Sequence, residues 1–263
     1  MTESAFDLAD ANLIQSIREH ARWQEPCECV ESDGVLLVAG PNDFAAGYRN
    51  CVARTDPRIT VQEVIDRARD FFAARRRRFV VLVRANRDAD LEAALLAVRA
   101  KLRTDAPCML IDAPLAEVDP PPGVRVECFA EEHHVQDAMQ VNAEAYQANR
   151  LPPAETKIYF GRPTALLCAR VIGYVAYRGT QPLSTALTVM SGRGAGVYWV
   201  GTAATAQRMG LAGLCTRLAT NAGFARGASV VTLQASPFGE PVYRRLGYKT
   251  YDRMKWYSYP ATV

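Results

Sequence analysis

Residues 198–214 carry the stretch of this chain whose types and spacing most plainly suggest chemistry. Tyr198-Trp199-Val200-Gly201-Thr202 reads as a strand, Ala203-Ala204-Thr205-Ala206-Gln207-Arg208-Met209 as a turn of mostly small side chains, and Gly210-Leu211-Ala212-Gly213-Leu214 as the start of a helix. The first four N–H groups of a helix have no internal partner and the helix dipole is positive there, so such a turn can converge main-chain donors on an anion. Small side chains let a phosphate approach the backbone. Each favourable charge interaction at a helix N-terminus is worth about 0.3–1 kcal/mol when exposed. The same residue types also open helices that bind nothing, and this stretch alone leaves both readings standing.

A second stretch adds a titratable group. Residues 233–248 read as an apolar strand, a turn through Ser236 and Gly239, and a short helix carrying Tyr243 that ends at Leu246-Gly247-Tyr248. With both stretches in hand, the sequence resembles the GCN5-related N-acetyltransferases. Their coenzyme A signature is Gln or Arg, two residues, Gly, one residue, then Gly or Ala, and Gln207, Gly210 and Ala212 meet it. Residues 233–248 are similar to the family's fifth strand, the helix after it, and the aromatic position following Leu-Gly. The resemblance covers residues 123–258.

The resemblance implies an α/β (α+β) fold: a seven-stranded mixed, largely antiparallel sheet, flanked by helices and splayed open between its fourth and fifth strands, with acyl-CoA in the gap. Carried over by position, the main chain around Thr202, Ala203 and Ala204 would pair with the pantetheine arm. The amides of Gln207, Arg208, Met209, Gly210, Leu211 and Ala212 would hold the pyrophosphate, and Ser236 would line the same cleft. Tyr243 would hydrogen-bond the thiol sulfur and protonate the departing thiolate. A phenol of pKa about 10 can donate to a thiolate whose conjugate acid sits near 8.5. Two departures stand out: Ala204 replaces a common proline, and Arg208 replaces a frequent glycine and could itself contact phosphate.

The general base is open. An alkyl ammonium of pKa about 10.4 must lose a proton before attack, at a cost of roughly 4.6 kcal/mol at pH 7. Yet residues 196–202 contain no acid, and no carboxylate lies between Glu155 and Glu240. The candidates are Glu144, Glu155, a water chain, the C-terminal carboxylate, or an amine of low pKa that needs little help.

The elements that must position these groups fall into two halves. The 263 residues are 49% hydrophobic and 22% charged, which excludes a wholly disordered chain. Residues 1–120 hold 16 Lys and Arg against 20 Asp and Glu, while residues 121–263 hold 15 against 8, so an acidic half precedes a basic one. The proline-rich residues 113–123 read as the linker between a domain at 1–120 and a catalytic domain at 121–263. In the first, Asp10 would cap a helix carrying Leu13, Ile14, Ile17 and Ala21, and Thr60 with Glu63 forms a capping box ahead of another. Residues 35–39, 79–84 and 108–111 read as strands, with Asp90 capping a helix that carries Leu91, Leu95, Val98 and Leu102. This alternation is what a degenerate copy of the same fold, walling the acceptor site, would show. In the second half the reading is strand 124–129, helix 131–146, a helical turn at 153–159, strands 165–178, 183–190 and 196–202, helix 210–225, strand 230–234, helix 237–246 and strand 248–259.

Other signals take plainer readings. Arg75 to Arg78 complement the carbonyl end of a helix, so no nucleic-acid partner is called. Gly192-Arg193-Gly194-Ala195-Gly196 precedes a strand and is a hairpin turn, not a dinucleotide loop. Cys27, Cys29 and His20 lack a further ligand at zinc spacing, and no metal is assigned. His133 and His134 read as a solvated pair, and Tyr146, Tyr159 and Tyr198 as core before acceptor pocket. The odd count of 7 cysteines fits reduced thiols, and with no secretory or membrane-spanning segment the expectation is a cytoplasmic protein without a membrane partner, monomer or homodimer. The expected activity is transfer of acetyl from acetyl-CoA to a small-molecule or peptide amine by direct attack in a ternary complex; the alternative is a non-catalytic acyl-CoA sensor or scaffold.

Overall fold

The computed structural model describes residues 4–260. Its first helix, α1 (Ala5–Trp23), starts at Ser4: the Ser4 hydroxyl accepts from the Asp7 amide while the Asp7 carboxylate reaches back to the Ser4 N–H. Asp10 is therefore inside the helix and not its cap, and it faces Arg84 and Arg87 instead. There follow β1 (Glu28–Ser32), β2 (Val35–Ala39), β3 (Cys51–Arg54), α2 (Val61–Ala74), β4 (Val80–Arg84), α3 (Ala89–Ala97) and β5 (Lys101–Ile111). The Thr60 and Glu63 capping box is formed as expected. Asp90, by contrast, lies within α3 and pairs with Arg54, and the helix stops at Ala97, so Leu102 belongs to β5. Leu102 was counted on the helical period, but pairing with Tyr257 across the sheet overrides that period.

After residues 113–123 come β6 (Arg125–Cys128), α4 (Glu132–Ala145) with a 3-10 turn (Tyr146–Asn149), α5 (Pro153–Ile158), α6 (Pro163–Leu166), β7 (Val171–Arg178), β8 (Gln181–Ser191), β9 (Gly194–Thr202), α7 (Leu211–Ala225), β10 (Val230–Gln234), α8 (Glu240–Arg245) and β11 (Lys249–Ser258). The strand expected from residue 165 begins only at Val171, because Pro163 opens a short helix first. No helix among the described residues is long and apolar enough to cross a membrane.

All eleven strands join one sheet in the order β1-β2-β3-β4-β11-β5-β10-β9-β8-β7-β6, against the seven strands anticipated for the second half. Most pairings are antiparallel. The chain's last strand, β11, lies between β4 and β5 of the first half, and β5 in turn pairs with β10 of the second. Each half thus contributes a strand that the other surrounds.

Two parallel pairs interrupt the sheet. β9 and β10 pair only at Gly194–Val230, Ala195–Val231 and Gly196–Thr232, after which β9 runs on to Thr202 and β10 to Gln234 without meeting. β3 and β4 likewise pair only at Cys51–Val80 and Val52–Val81. This second parting is filled: Arg84 Nη2 donates to the Arg54 carbonyl at 2.8 Å, and both buried guanidinium groups bind the buried Asp88 carboxylate.

The first half also covers one face of the second. α1 packs on β8 and β9, where Asn12 Nδ2 donates to the Val189 carbonyl and Ser191 Oγ, both at 2.9 Å, and the Tyr198 hydroxyl donates to Asn12 Oδ1 at 2.8 Å. Gly196 permits this approach, since a Cβ there would stand 2.0 Å from Asn12 Oδ1. Because each half surrounds a strand of the other, heating should give a single calorimetric unfolding transition; two well-separated transitions would show that the exchanged strands do not couple the halves.

Candidate functional site

The gap between β9 and β10 opens beside the start of α7. Gly210 is the N-cap of that helix, at φ +78°, with no side-chain cap hydrogen bond. Its left-handed backbone suits glycine, and a Cβ placed on Gly210 or Gly213 would meet nothing within 4 Å. The Leu214 N–H donates to the Gly210 carbonyl at 3.0 Å, and no hydrogen bond engages the N–H groups of Leu211, Ala212 and Gly213. Gln207, Arg208 and Gly210 are exposed, Met209 and Ala212 half-buried, and Leu211 buries its side chain so that only its main chain could serve a ligand. Arg208 takes a positive φ, +64°, where the family has glycine.

The preceding turn is less free. The Ala203 N–H donates to the Leu183 carbonyl at 2.8 Å, which removes it as a ligand donor. The Ala204 N–H donates to the Glu144 carboxylate at 2.6 Å, so Glu144 stands where a carbonyl oxygen of a bound molecule would sit. Thr202 pairs with Ser184, and their hydroxyls lie 2.8 Å apart.

On the opposite lip, Ser236 Oγ accepts from the Gly239 N–H at 3.1 Å and braces the turn into α8, which is shorter than expected because Pro237 and Phe238 stay in that turn. Tyr243 is buried on α8 against Gly239, where a Cβ would lie 2.7 Å from the ring. Burial pushes its hydroxyl well above the ordinary phenol range, so it stays protonated and available as a donor.

The face of the gap toward α1 is aromatic, with the buried Arg49 guanidinium over its Tyr159 ring. His20, Tyr48, Tyr146, Tyr159, Tyr198 and Trp199 interlock, with His20 stacked on Tyr48 at 4.1 Å between ring centres and Tyr146 4.9 Å from Trp199. Burial raises the hydroxyls of Tyr48, Tyr146 and Tyr198 alike. The Tyr48 hydroxyl reaches Gln234 Oε1 at 3.4 Å, a weak contact across from first half to β10, and Gln234 Nε2 is buried without a partner. The three tyrosines read as core thus also floor the gap. His20, Tyr48 and Gln234 carry no spacing signal in the sequence, because the contacts that bring them to the gap, His20 to Trp199 and Tyr48 to Gln234, join positions 179 and 186 apart.

His20 is fully buried and both its nitrogens are committed. Nδ1–H donates to the Ser16 carbonyl at 2.6 Å, and Nε2 accepts from the Trp199 indole N–H at 2.8 Å. Since an indole can only donate, the tautomer follows, and burial lowers the pKa to about 3. His20 is neither a free base nor a partner for the Cys27 and Cys29 thiols, the first of which burial pushes up to about 12.

Neither glutamate proposed as base is free. Glu144 holds the Ala204 amide, and Glu155 accepts from the buried Arg49 guanidinium and from Asn42. Arg49 lies over the Tyr159 and Phe44 rings and ties the first half to α5. The C-terminal carboxylate lies outside the described residues. The histidine pair is not a solvated one: His134 is buried, its Nδ1 accepts from the Glu131 N–H at 3.2 Å, and its Nε2 faces Glu127 at 3.2 Å. Glu127, His133 and His134 bring donor atoms within 4.8 Å of one another, yet the Nδ1 acceptor role leaves the proton on Nε2, the nitrogen a metal would need. Arg75 and Arg78 pair with Glu28 and Asp43 at the end of α2.

No family profile matches the sequence, and no curated protein is similar to it at a significant level. Solved structures do match over nearly the whole chain. A GCN5-related N-acetyltransferase from Kribbella flavida superposes with a TM-score of 0.73 at 19% identity, covering 97% of this chain and 96% of that one. A GCN5-related N-acetyltransferase from Sphaerobacter thermophilus gives 0.62 at 15%, covering 95% and 92%. A tandem GNAT protein from the clavulanic acid biosynthesis pathway gives 0.64 at 13%, covering 98% of each. The chain has the fold of the GCN5-related N-acetyltransferases over nearly its whole length.

An unfolded histidine protonates near pH 6.5, whereas His20 in the fold does so only near 3, so between these values the unfolded state binds more protons. Stability from this group is complete above pH 6.5 and is lost as pH falls, by up to about 1.4 kcal/mol per pH unit. Urea unfolding at pH 7 and pH 4.5 should therefore show a shallower decline for His20→Phe than for the wild type. An equal decline would mean that His20 titrates normally.

Proposed function

We propose that the protein is an N-acyltransferase that moves acetyl from acetyl-CoA to the amine of a small molecule or peptide by direct attack in a ternary complex. The observation that carries this reading is the unpaired stretch of β9 and β10 with an uncapped helix N-terminus at its mouth. Acetyl-CoA fits the residues there: no hydrogen bond engages the amides from Arg208 to Ala212, Arg208 is exposed, and the Ala204 N–H already holds an oxygen acceptor, while the Gln207 N–H is spent on the Ala204 carbonyl. Binding would require Glu144 to release that amide. The bound carrier supplies an activated thioester. We carry the division at residue 120 as part of the same proposal, with the first half as a degenerate copy whose own parting is closed by Arg54, Arg84 and Asp88.

The chain's own groups then divide the work. Main-chain N–H groups on the open edge of β9 orient and polarise the carbonyl, and Tyr243, kept protonated by burial, donates its hydroxyl proton to the leaving sulfur and regains one from the proton that the attacking nitrogen sheds as the amide forms. The aromatic face excludes water. A dry, aromatic surface disfavours an ammonium ion, so an amine of low pKa is the acceptor class best matched to a site whose glutamates are engaged. Those same engaged glutamates favour a second reading, an acyl-CoA-binding module without turnover.

Calorimetry with acetyl-CoA, followed by thiol release over a panel of amines of graded pKa, tests both. Turnover greatest for low-pKa amines, with Tyr243→Phe lowering kcat by about 10- to 100-fold at little change in acetyl-CoA affinity, supports the transferase. Binding without turnover on any amine supports the module, and no binding at all overturns both.

A further inference from the structure

We infer that His20, contributed by the first half, is a positioning residue for the transfer reaction: it holds Trp199 and so fixes the bulge in β9 that borders the open gap. This inference rests on the acyltransferase reading. β9 is irregular where it leaves β10: opposite β8 the register slips between Leu187–Tyr198 and Thr185–Gly201, which leaves Trp199 and Val200 facing Ala186. Trp199 sits there at φ +51°, a left-handed backbone that a bulky residue adopts only when its surroundings impose it.

What imposes it is on the other half. Trp199 Nε1–H donates at 2.8 Å to His20 Nε2, and the imidazole is held in turn by Nδ1–H donating to the Ser16 carbonyl at 2.6 Å and by stacking on Tyr48. Trp199 and His20 are both buried, so water cannot replace the lost partner if either is removed. A bulge breaks the ladder and re-aims the main chain beside it. In β9 that main chain borders the gap, because β10 stopped pairing at Gly196. The hydrogen bond thus connects α1 of the first half to the strand edge that must polarise the acyl carbonyl. Asn12 secures the neighbouring Tyr198 and leaves the bulge itself to His20.

The test compares His20→Phe, Trp199→Phe, their combination, and His20→Gln, whose amide oxygen can still accept from the indole. Each is assayed for acetyl-CoA affinity by calorimetry and for kcat on an amine that the wild type acetylates. His20→Phe and Trp199→Phe should each lower kcat by about 10- to 100-fold while acetyl-CoA affinity stays within about twofold. The double variant should be no worse than either single one, because both remove the same bond, and His20→Gln should recover part of the rate. Unchanged kcat in His20→Phe, or losses that multiply in the double variant, overturns the positioning role while leaving the transferase reading intact. Nitrogen NMR of the wild type gives a readout independent of turnover and of variant folding: a protonated Nδ1 and an unprotonated Nε2 at neutral pH are expected, and the opposite tautomer overturns the inference. A wild type that binds no acetyl-CoA defeats the underlying reading first and this inference with it.

Discussion

Everything in this structure is arranged around a pair of parallel strands that stop pairing. Past Gly196 and Thr232, β9 and β10 carry main-chain donors and acceptors that neither strand satisfies for the other. An unmet buried hydrogen-bonding group costs about 1–3 kcal/mol, so a gap of this kind persists only when its lips are braced from outside and something polar can enter it. The bracing is explicit: β8 supports β9, β5 supports β10, and α1 lies across the face with Asn12 on β8 and Tyr198. The strand that supports β10 belongs to the first half, which makes the gap a product of both halves.

The chain contains the same interruption twice and treats it in opposite ways. Between β3 and β4 the parting is closed by Arg54, Arg84 and Asp88, whose buried charges are matched by hydrogen bonds in nearly every direction. Such a filled parting has no room for a ligand, and removing one member would strand the others' charges. Between β9 and β10 no such ion cluster bridges the strands among the described residues; Glu144 reaches only the Ala204 amide at the mouth, and the nearest helix start is uncapped. The two halves share a pattern of strands but differ in what their sequences place inside the break.

The open parting is also chemically asymmetric. One mouth presents helix amides and Arg208, suited to an anion, while the α1 side presents tyrosines and a neutral histidine. Burial holds the tyrosines and His20 in their uncharged forms, so this side does not offer a ready imidazole to take a proton.

Residue types and local spacing were enough to read the strand, turn and helix of residues 198–225, the helix bearing Tyr243, the capping box at Thr60 and the unstructured prolines, because each depends on contacts within a few residues. The same information misplaced the caps at Asp10 and Asp90, where carboxylates suited to capping were claimed by Arg84 and Arg54 from other strands. It also took Glu144 and Glu155 as free when an amide and a buried arginine hold them. His20 looked like a stray histidine and Trp199 like an ordinary strand residue. Their bond joins positions 179 apart, at the left-handed turn of β9. The sequence by itself thus determined the local elements, among them the small-residue turn and helix start of residues 203–214. Only the tertiary structure decided the exchange of β5 and β11, the closing of one parting and the opening of the other, since those rest on which distant side chains arrive at each break.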